Sequence, residues 1–252
     1  MPRTICIANQ KGGVGKTTTA INLAAGTARA GHATLLIDMD PQCNATSGLG
    51  CRAVERHPLV MDEALRHWTV PTETEQLFLL PGSRSFRDID QLSRADDSAS
   101  RRVVEHLRHD VGRYDYVFID SPPSLGQLTQ TALATADEVL MPIQCEYFAM
   151  EGLSQMIQVI RQVMNSRART DGTALQFAGI LLTMYDHQLE LTQEVDRQVR
   201  DFFGDIVFFT TIPREVEIAE APSHGLSILD YAPRSRGCRA YLELCMEVMN
   251  AA

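Results

Sequence analysis

Two lysines and two threonines lie close together near the start of the chain, within a run of glycines. The run reads Gln10-Lys11-Gly12-Gly13-Val14-Gly15-Lys16-Thr17-Thr18. It follows a short apolar segment, residues 4–9, with the composition of a β-strand, and it precedes residues 19–25, which have helix-forming composition. Glycines let successive backbone N–H groups turn towards one anion, and a helix N-terminus adds partial positive charge. The sequence therefore predicts a phosphate-binding loop, or P-loop.

The polar residues of this loop match the needs of a nucleotide. We expect Lys16 to contact the β- and γ-phosphates and the Thr17 hydroxyl to bind Mg²⁺. The alternative is a glycine-rich turn without a ligand, but such a turn does not require lysines and threonine at this spacing. Lys11 and Lys16 are the only lysines among the 23 lysine and arginine residues of the chain, so the chain uses lysine only here.

Carboxylates follow two further apolar segments of the sequence. Asp38 and Asp40 end a segment that begins at residue 33, and Asp120 ends the apolar run that begins at residue 114. In open parallel sheets, ligands bind beyond the carboxyl ends of the strands, so we expect these carboxylates to face the bound phosphates. A single aspartate at a strand end is common in solvated turns, but Asp120 downstream of a P-loop is typical of a magnesium ligand, direct or through water.

Strand-like and helix-like segments alternate along the rest of the chain. We predict strands at 76–82, 138–144, 177–185 and 206–213, helices at 98–111, 150–167 and 191–203, and two C-terminal helices. Such alternation favours an α/β fold, with a mostly parallel twisted sheet covered by helices on both faces, as in P-loop NTPases. No linker, repeat or low-complexity run divides the chain, which predicts a single domain over residues 1–252.

Composition excludes several other classes of protein. The net charge of −9 argues against a strong attraction to nucleic acid over the whole surface, although a local basic patch remains compatible with it. The six cysteines form no Cys-x-x-Cys pair, as expected of buried thiols in the reducing cytoplasm. No apolar segment approaches the roughly 20 residues of a membrane span.

His106 and His109 are three residues apart, which places them on neighbouring positions of one helix face. We expect this face to be exposed rather than to bind a metal ion.

The loop departs from the usual P-loop pattern at one position. Gln10 stands where the first glycine is expected, and Lys11 is additional. In this the chain resembles the deviant Walker A, or ParA/MinD, superfamily of ATPases, and segment 35–50, Leu-Leu-Ile-Asp-Met-Asp-Pro-Gln onward, resembles its ParA/Soj branch. Four later segments are similar to ParA/Soj blocks in the same order: 142–152, 183–186, 212–214 and 220–225.

This resemblance carries expectations for the site and the activity. It implies ATP hydrolysis with Mg²⁺, an ATP-dependent homodimer in which Lys11 reaches the phosphates of the other subunit, and activation by a ParB-like partner during chromosome or plasmid partitioning or cargo positioning. We expect hydrolysis to be slow in the isolated protein, because the phosphate-binding residues are complete but no arginine finger is evident. Asp40 is the expected residue for orienting the attacking water, with Asp38 as the alternative. Met184, Pro213 and Arg214 match positions next to the adenine.

Several alternatives stay open on the sequence. A membrane-bound positioning ATPase of the MinD kind would need a basic amphipathic C-terminal helix, but the polar side of residues 239–250 carries glutamates. A nitrogenase-reductase-like enzyme would need a cysteine pair that Cys43 and Cys145 do not match. For DNA, the positions that are basic in relatives are Gln188, Glu190, Glu215 and Glu217 here. The remaining DNA-binding candidates are Arg234, Arg236 and Arg239, which could equally cap helices or pair with acids. The protein is thus expected in the cytoplasm, with or without nucleoid association, and not on a membrane.

Overall fold

One eight-stranded sheet organises the part of the chain that the computed structural model describes, which is residues 2–61, 63–86, 98–146, 149–165 and 175–251. In chain order the strands are β1 Arg3–Ile7, β2 Thr34–Asp38, β3 Val70–Pro71, β4 Leu77–Leu80, β5 Tyr116–Asp120, β6 Glu138–Gln144, β7 Gln176–Tyr185 and β8 Val207–Pro213. Their order in space is β3-β4-β2-β5-β1-β6-β7-β8. All neighbours run parallel except β3 and β4, which are antiparallel. The predicted mostly parallel α/β sheet is confirmed.

Helices cover both faces of this sheet. The described helices are α1 Lys16–Arg29, α2 Asn44–Gly48, α3 Pro58–Met61, α4 Ser98–Asp110, α5 Gln127–Thr135, α6 Ala149–Asn165, α7 Glu190–Phe203, α8 Val216–Glu220, α9 Ile228–Tyr231 and α10 Arg236–Asn250. One apolar cluster joins the sheet to α4, α5, α6 and α7, and the other joins it to α1, α9 and α10.

The central strands are buried on both sides, as parallel strands between helical layers must be. Successive residues of β2 alternate between the two clusters: Leu35 and Ile37 belong to the first and Leu36 to the second. In β5, Ile119 likewise belongs to the first cluster and Phe118 to the second. Because side chains alternate across a strand, a continuous apolar run of this kind feeds both cores at once.

Three of these strands end at the same level of the sheet. Ile7 of β1 pairs with Asp120 of β5, and Asp38 of β2 pairs with Asp120 as well. The phosphate-binding loop that follows β1 therefore begins beside two of the predicted carboxylates. Parallel register thus assembles the site from segments that are about 30 and 110 residues apart in sequence.

The C-terminal region differs from the prediction of two helices. The structure has three, α8, α9 and α10, together with a 3₁₀ turn at Ala221–His224. Pro222 lies in that turn and Pro233 lies between α9 and α10, and proline lacks the N–H that a continuous helix needs. The predicted strand at 138–144 is confirmed, while the predicted extension of α6 to residue 167 lies outside the described residues.

The two histidines of α4 do not share an exposed face. The His109 side chain is 89% exposed, as predicted, but the His106 side chain is only 13% exposed, and its Nε2 lies 3.6 Å from Asp110 Oδ2. Asp110 also accepts a hydrogen bond from Leu65 N–H, so the 65–67 turn packs over this part of the helix. Within the described ranges no group of three or more histidine, cysteine or acidic side chains could hold a metal ion.

None of the helices in the described ranges has both the length and the apolar character that a membrane span requires.

Candidate active site

The phosphate-binding loop connects β1 to α1 through two glycines in the left-handed region. Gly13 and Gly15 have φ angles of 76° and 85°, which residues with a side chain rarely adopt. Thr19 N–H donates to the Gly15 carbonyl at 2.8 Å, so α1 begins directly at the loop. The first turn of α1 contains no acidic residue. The positive end of the helix dipole is therefore available to an anion.

Neighbouring strands hold the loop in place. Asn9 Nδ2 donates to the Pro142 carbonyl at 2.7 Å, and Asn9 Oδ1 accepts from Lys11 N–H at 3.0 Å. On the other side of the loop, the Thr183 hydroxyl donates to the Val14 carbonyl at 2.9 Å. Contacts within the protein thus fix the loop to β6 and β7, and a loop held in this way needs less ordering when it binds a ligand.

Lys16 lies buried at the base of the loop. Its Nζ donates to the Lys11 carbonyl at 2.9 Å. Burial lowers the pKa of Lys16, while the negative charges of Asp120 and Asp40 raise it. Lys16 also lines the cleft above the loop. The ammonium is therefore placed to contact an anionic ligand in that cleft.

Thr17 and Asp120 form the second polar pair of the site. The Thr17 hydroxyl donates to Asp120 Oδ2 at 2.8 Å. Asp120 is fully buried, and its Oδ1 has no hydrogen-bond partner among the described residues. Burial raises the pKa of Asp120 well above its ordinary value, and the charge of Asp38 raises it further. A buried carboxylate oxygen without a partner, beside a hydroxyl, fits Mg²⁺, which prefers oxygen ligands.

Asp38 and Asp40 contact different groups. Asp38 Oδ2 accepts from both Thr46 N–H, at 2.8 Å, and the Thr46 hydroxyl, at 2.6 Å, while Oδ1 accepts from Asp40 N–H. Burial raises the pKa of Asp38 to about 6, although these hydrogen bonds favour the carboxylate. Asp40 Oδ1 accepts from Gln42 N–H at 2.8 Å, and Asp40 lines the cleft. Asp38 therefore ties α2 to the sheet, and Asp40 faces the ligand space.

A cleft of about 630 Å³ opens above the loop, within the roughly 300–1,000 Å³ of small-ligand sites. Its lining combines the loop with α2, the 121–126 segment, the end of β7 and the 3₁₀ turn. The lining residues are Gly12, Gly13, Gly15, Lys16, Thr17, Thr18, Asp40, Asn44, Ser47, Gly48, Pro123, Met184, Pro222 and Ser223. Most of the predicted phosphate-binding residues thus surround one space, whereas Val14 is buried and does not line it.

The residues predicted at the adenine are divided between two clefts. Met184 lines the first cleft and has a φ of 52°, a left-handed conformation that is uncommon for a residue with a side chain. Pro213 and Arg214 line a second cleft of about 430 Å³. The two sets are nevertheless adjacent, because Tyr185 pairs with Pro213 in the sheet and its carbonyl accepts from Arg214 N–H.

The three arginines predicted for DNA are exposed: Arg234 lies just before α10, and Arg236 and Arg239 lie in its first turn. Arg236 and Arg239 line the second cleft together with Arg214. Arg236 Nε lies 3.5 Å from Glu215 Oε1, so an acidic residue pairs with this patch. Arg234 is exposed but does not line the cleft.

Sequence reasoning missed two groups of contacts. Pro222 and Ser223 line the cleft from the C-terminal region, and only their place in a family block signalled them. Glu146, which lies 2.7 Å from the Lys11 ammonium, had no signal beyond the same kind of block. Tyr147 and Phe148 of that block lie outside the described residues. Cys43 and Cys145 are both buried, and burial raises the pKa of the Cys145 thiol to about 12.

A strand, a glycine-rich loop and a helix, with a buried carboxylate at the end of the adjacent strand, define a P-loop nucleotide-binding protein. A family model described as an AAA domain matches residues 2–171. The chain is 44% identical to the chromosome partitioning protein ParA of Myxococcus xanthus, over 98% of this chain and 88% of that protein. It is 47% identical to the chromosome-partitioning ATPase Soj of Thermus thermophilus, over 98% of this chain and 95% of that protein. The chain belongs to the ParA/Soj family of chromosome-partitioning ATPases.

A solved structure supports the same fold. It is a Mycobacterium smegmatis protein described as cobyrinic acid a,c-diamide synthase, with bound ADP and magnesium. The likeness has a TM-score of 0.83 at 30% identity and covers 99% of this chain and 95% of the other.

Proposed function

We propose that this chain is a nucleotide-dependent partitioning switch. It binds ATP with Mg²⁺ in the 630 Å³ cleft, associates with a second copy across the bound nucleotides, and hydrolyses ATP slowly until a ParB-like partner activates it. The cycle positions a chromosome, a plasmid or another cargo. The bound ADP and magnesium of the Mycobacterium smegmatis structure and the ParA and Soj relatives support this proposal. Residues 1–252 act as a single ATPase domain.

Within one subunit, the site residues divide the chemistry of phosphoryl transfer. The loop N–H groups of residues 12–18 and the Lys16 ammonium bind the phosphates. Thr17 and Asp120 hold Mg²⁺, which neutralises phosphate charge. Asp40 orients the attacking water, because its carboxylate faces the cleft while Asp38 is engaged by Thr46. These residues supply positioning and charge, which are what phosphoryl transfer chiefly requires.

The adenine lies beyond the phosphates, at the ends of β7 and β8. Met184 contacts it from inside the cleft, and its left-handed backbone supports a ligand-binding role, since strained conformations concentrate at functional sites. Pro213 and Arg214 approach the adenine from the neighbouring strand, to which the Tyr185 carbonyl is hydrogen bonded.

The observation that carries the dimer proposal is the position of Lys11. Its backbone belongs to the loop, but among the residues described Lys11 is absent from the cleft lining, and its side chain stays 39% exposed. Lys16 already serves the phosphates of the same subunit. This second ammonium at the rim, whose partner Glu146 is itself 46% exposed, can reach the nucleotide of another copy, where a cation supplied in trans accelerates phosphoryl transfer by roughly 10³ to 10⁵.

A second candidate function is a regulatory ATPase that acts through protein partners without DNA. It is favoured by the uncharged or acidic residues Gln188, Glu190, Glu215 and Glu217, which stand where the family resemblance leads us to expect basic residues in a protein that coats the nucleoid. A MinD-like role on a membrane is less favoured, because α10 carries Glu243 and Glu247, which anionic lipid repels.

The Lys11→Ala variant tests the switch. ATP-dependent association and ATP hydrolysis should fail together, because the substitution removes a charge-assisted contact that forms only between subunits. ATP binding by the monomer should survive, since Lys16 remains. Sedimentation with ATP, turnover and nucleotide affinity are measured on one preparation.

The matched control is Lys16→Ala, which should lose nucleotide binding itself. Lys11→Arg should restore turnover only in part, because the planar guanidinium is a poor substitute for an ammonium in a glycine-lined gap. Normal dimerisation with normal turnover in Lys11→Ala would contradict the switch and leave a self-contained ATPase.

A further inference from the structure

The Lys11 ammonium is held by a carboxylate of its own subunit. Lys11 Nζ lies 2.7 Å from Glu146 Oε2. We propose that Glu146 is a positioning residue that keeps Lys11 on its own subunit and so opposes dimerisation until two nucleotide-bound subunits meet. The inference rests on the proposed function, in which Lys11 reaches the phosphates of a second copy.

The surrounding backbone places the two side chains together. β1 and β6 are neighbours in the sheet, so the loop after β1 and Glu146 after β6 leave the same edge. Asn9 links them, because its side chain donates to the Pro142 carbonyl of β6 and accepts from Lys11 N–H. Glu146 N–H donates to the Gln144 carbonyl at 2.8 Å, which turns the chain at the end of β6. The contact therefore follows from the sheet topology.

The pair is also able to separate. The side chains of Lys11 and Glu146 are 39% and 46% exposed, so water replaces either partner without leaving a buried charge. A triphosphate carries several negative charges where Glu146 carries one, so Coulomb attraction favours the phosphates once the second subunit brings them within reach. Glu146 thus delays the transfer of Lys11 but does not prevent it.

The size of the effect follows from the exposure of the pair. Removing an ion pair this exposed changes an equilibrium by about two- to fivefold. Two subunits each give up one such contact when they associate, so the effects multiply. Loss of the carboxylate should therefore tighten the dimer dissociation constant by roughly four- to 25-fold.

The experiment compares Glu146→Gln with the unaltered full-length protein in the presence of ATP and Mg²⁺. Sedimentation over a range of protein concentrations gives the dimer dissociation constant, and titration of a protein dilute enough to stay monomeric gives its ATP affinity. Glu194→Gln is the matched control, because it removes the exposed Glu194–Arg197 pair of α7 without touching the loop. Glu146→Asp keeps the charge, and Glu146→Ala serves as a second variant that removes it.

Support for the proposal is a tighter dimer in Glu146→Gln and Glu146→Ala, with higher turnover at low protein concentration and unchanged monomer affinity for ATP. Glu146→Asp should fall between these variants and the unaltered protein, and Glu194→Gln should match the unaltered protein. An unchanged or weaker dimer in both neutral variants overturns the proposal. That result is distinct from failure of the proposed function, because normal association of Lys11→Ala would remove the switch itself.

Discussion

At the scale of single residues, two aspartates two positions apart have separate roles because of their hydrogen-bond partners. Asp38 accepts three hydrogen bonds, two of them from Thr46, and the Thr46 hydroxyl accepts in turn from Gly82 N–H at 2.8 Å. Gly82 packs directly against the Asp38 carboxylate, since a Cβ on Gly82 would lie 2.9 Å from it. Asp38 is thus part of the packing that fixes α2, and Asp40 is left facing the cleft.

The Asp40→Ala variant should bind ATP and form a persistent dimer but fail to hydrolyse the nucleotide. The attacking water loses its orienting carboxylate, whereas Lys16, Thr17 and Asp120 are unchanged. Sedimentation with ATP and a turnover assay measure the two effects. Turnover near the normal rate would exclude Asp40 as the water-orienting residue.

The comparison variant is Asp38→Ala, whose expected effect is on stability. It leaves the buried Thr46 N–H without its acceptor, which costs about 1–3 kcal/mol of unfolding free energy. Denaturant unfolding of the two variants separates the roles, since Asp40→Ala should unfold close to the unaltered protein.

At the scale of elements, α1 packs closely against α10. Gly26 of α1 has no space for a side chain, because a Cβ there would overlap the sulfur of Cys245 and lie 3.2 Å from its Cβ. The same α10 closes the exposed edge of the sheet: Glu247 accepts from Phe209 N–H and Thr210 N–H of β8. α10 therefore stabilises both the helix that carries Lys16 and the edge strand.

Gly26→Ala should destabilise the protein by about 1–3 kcal/mol through overpacking, which outweighs the gain of roughly 1 kcal/mol in helix propensity. Chemical denaturation measures the change. Gly112→Ala is the control, because a Cβ at Gly112 meets nothing within 4 Å. Adding Cys245→Ala to Gly26→Ala should recover part of the lost stability. If the changes in unfolding free energy of the two substitutions were simply additive, the overlap between residue 26 and the Cys245 sulfur would not be the cause.

At the scale of the whole molecule, charge is distributed unevenly. The net charge is −9, yet Arg214, Arg236 and Arg239 line one cleft. Glu215 offsets part of this charge by pairing with Arg236, and Asp186 and Glu243 line the same cleft. Any attraction to DNA must therefore be local, and it competes with nearby acids.

ATP-dependent retention on random-sequence DNA measures this attraction. If the protein acts on DNA, retention should fall as the salt concentration rises. The double variant Arg236→Ala/Arg239→Ala should bind DNA more weakly, and its plot of log binding constant against log salt concentration should be less steep by about one for each lost phosphate contact. Arg197→Ala is the control, since Arg197 is an exposed arginine of α7 paired with Glu194. An absence of retention at low salt would favour the function through protein partners.

Much of the fold and of the phosphate site could be read from sequence, because those features are local. The loop turns through a left-handed backbone at residues 13 and 15, which glycine adopts without steric cost, and the apolar runs ending in Asp38 and Asp120 are continuous in the chain. Local patterns of this kind also predicted the parallel sheet with helices on both faces. The division of the C-terminal region into three helices was missed, although Pro222 and Pro233 carried a signal for it.

Only the tertiary structure decided the contacts between segments that are distant in sequence. The sequence alone determined that a P-loop pattern, candidate magnesium ligands and a second lysine are present. Parallel register placed Asp120 beside Thr17, a hydrogen bond from Thr46 separated Asp38 from Asp40, and the neighbouring strands β1 and β6 brought Glu146 to Lys11. These pairings depend on which strand ends lie side by side. Strand order is set by the packing of the whole chain, so no local pattern of residues encodes it.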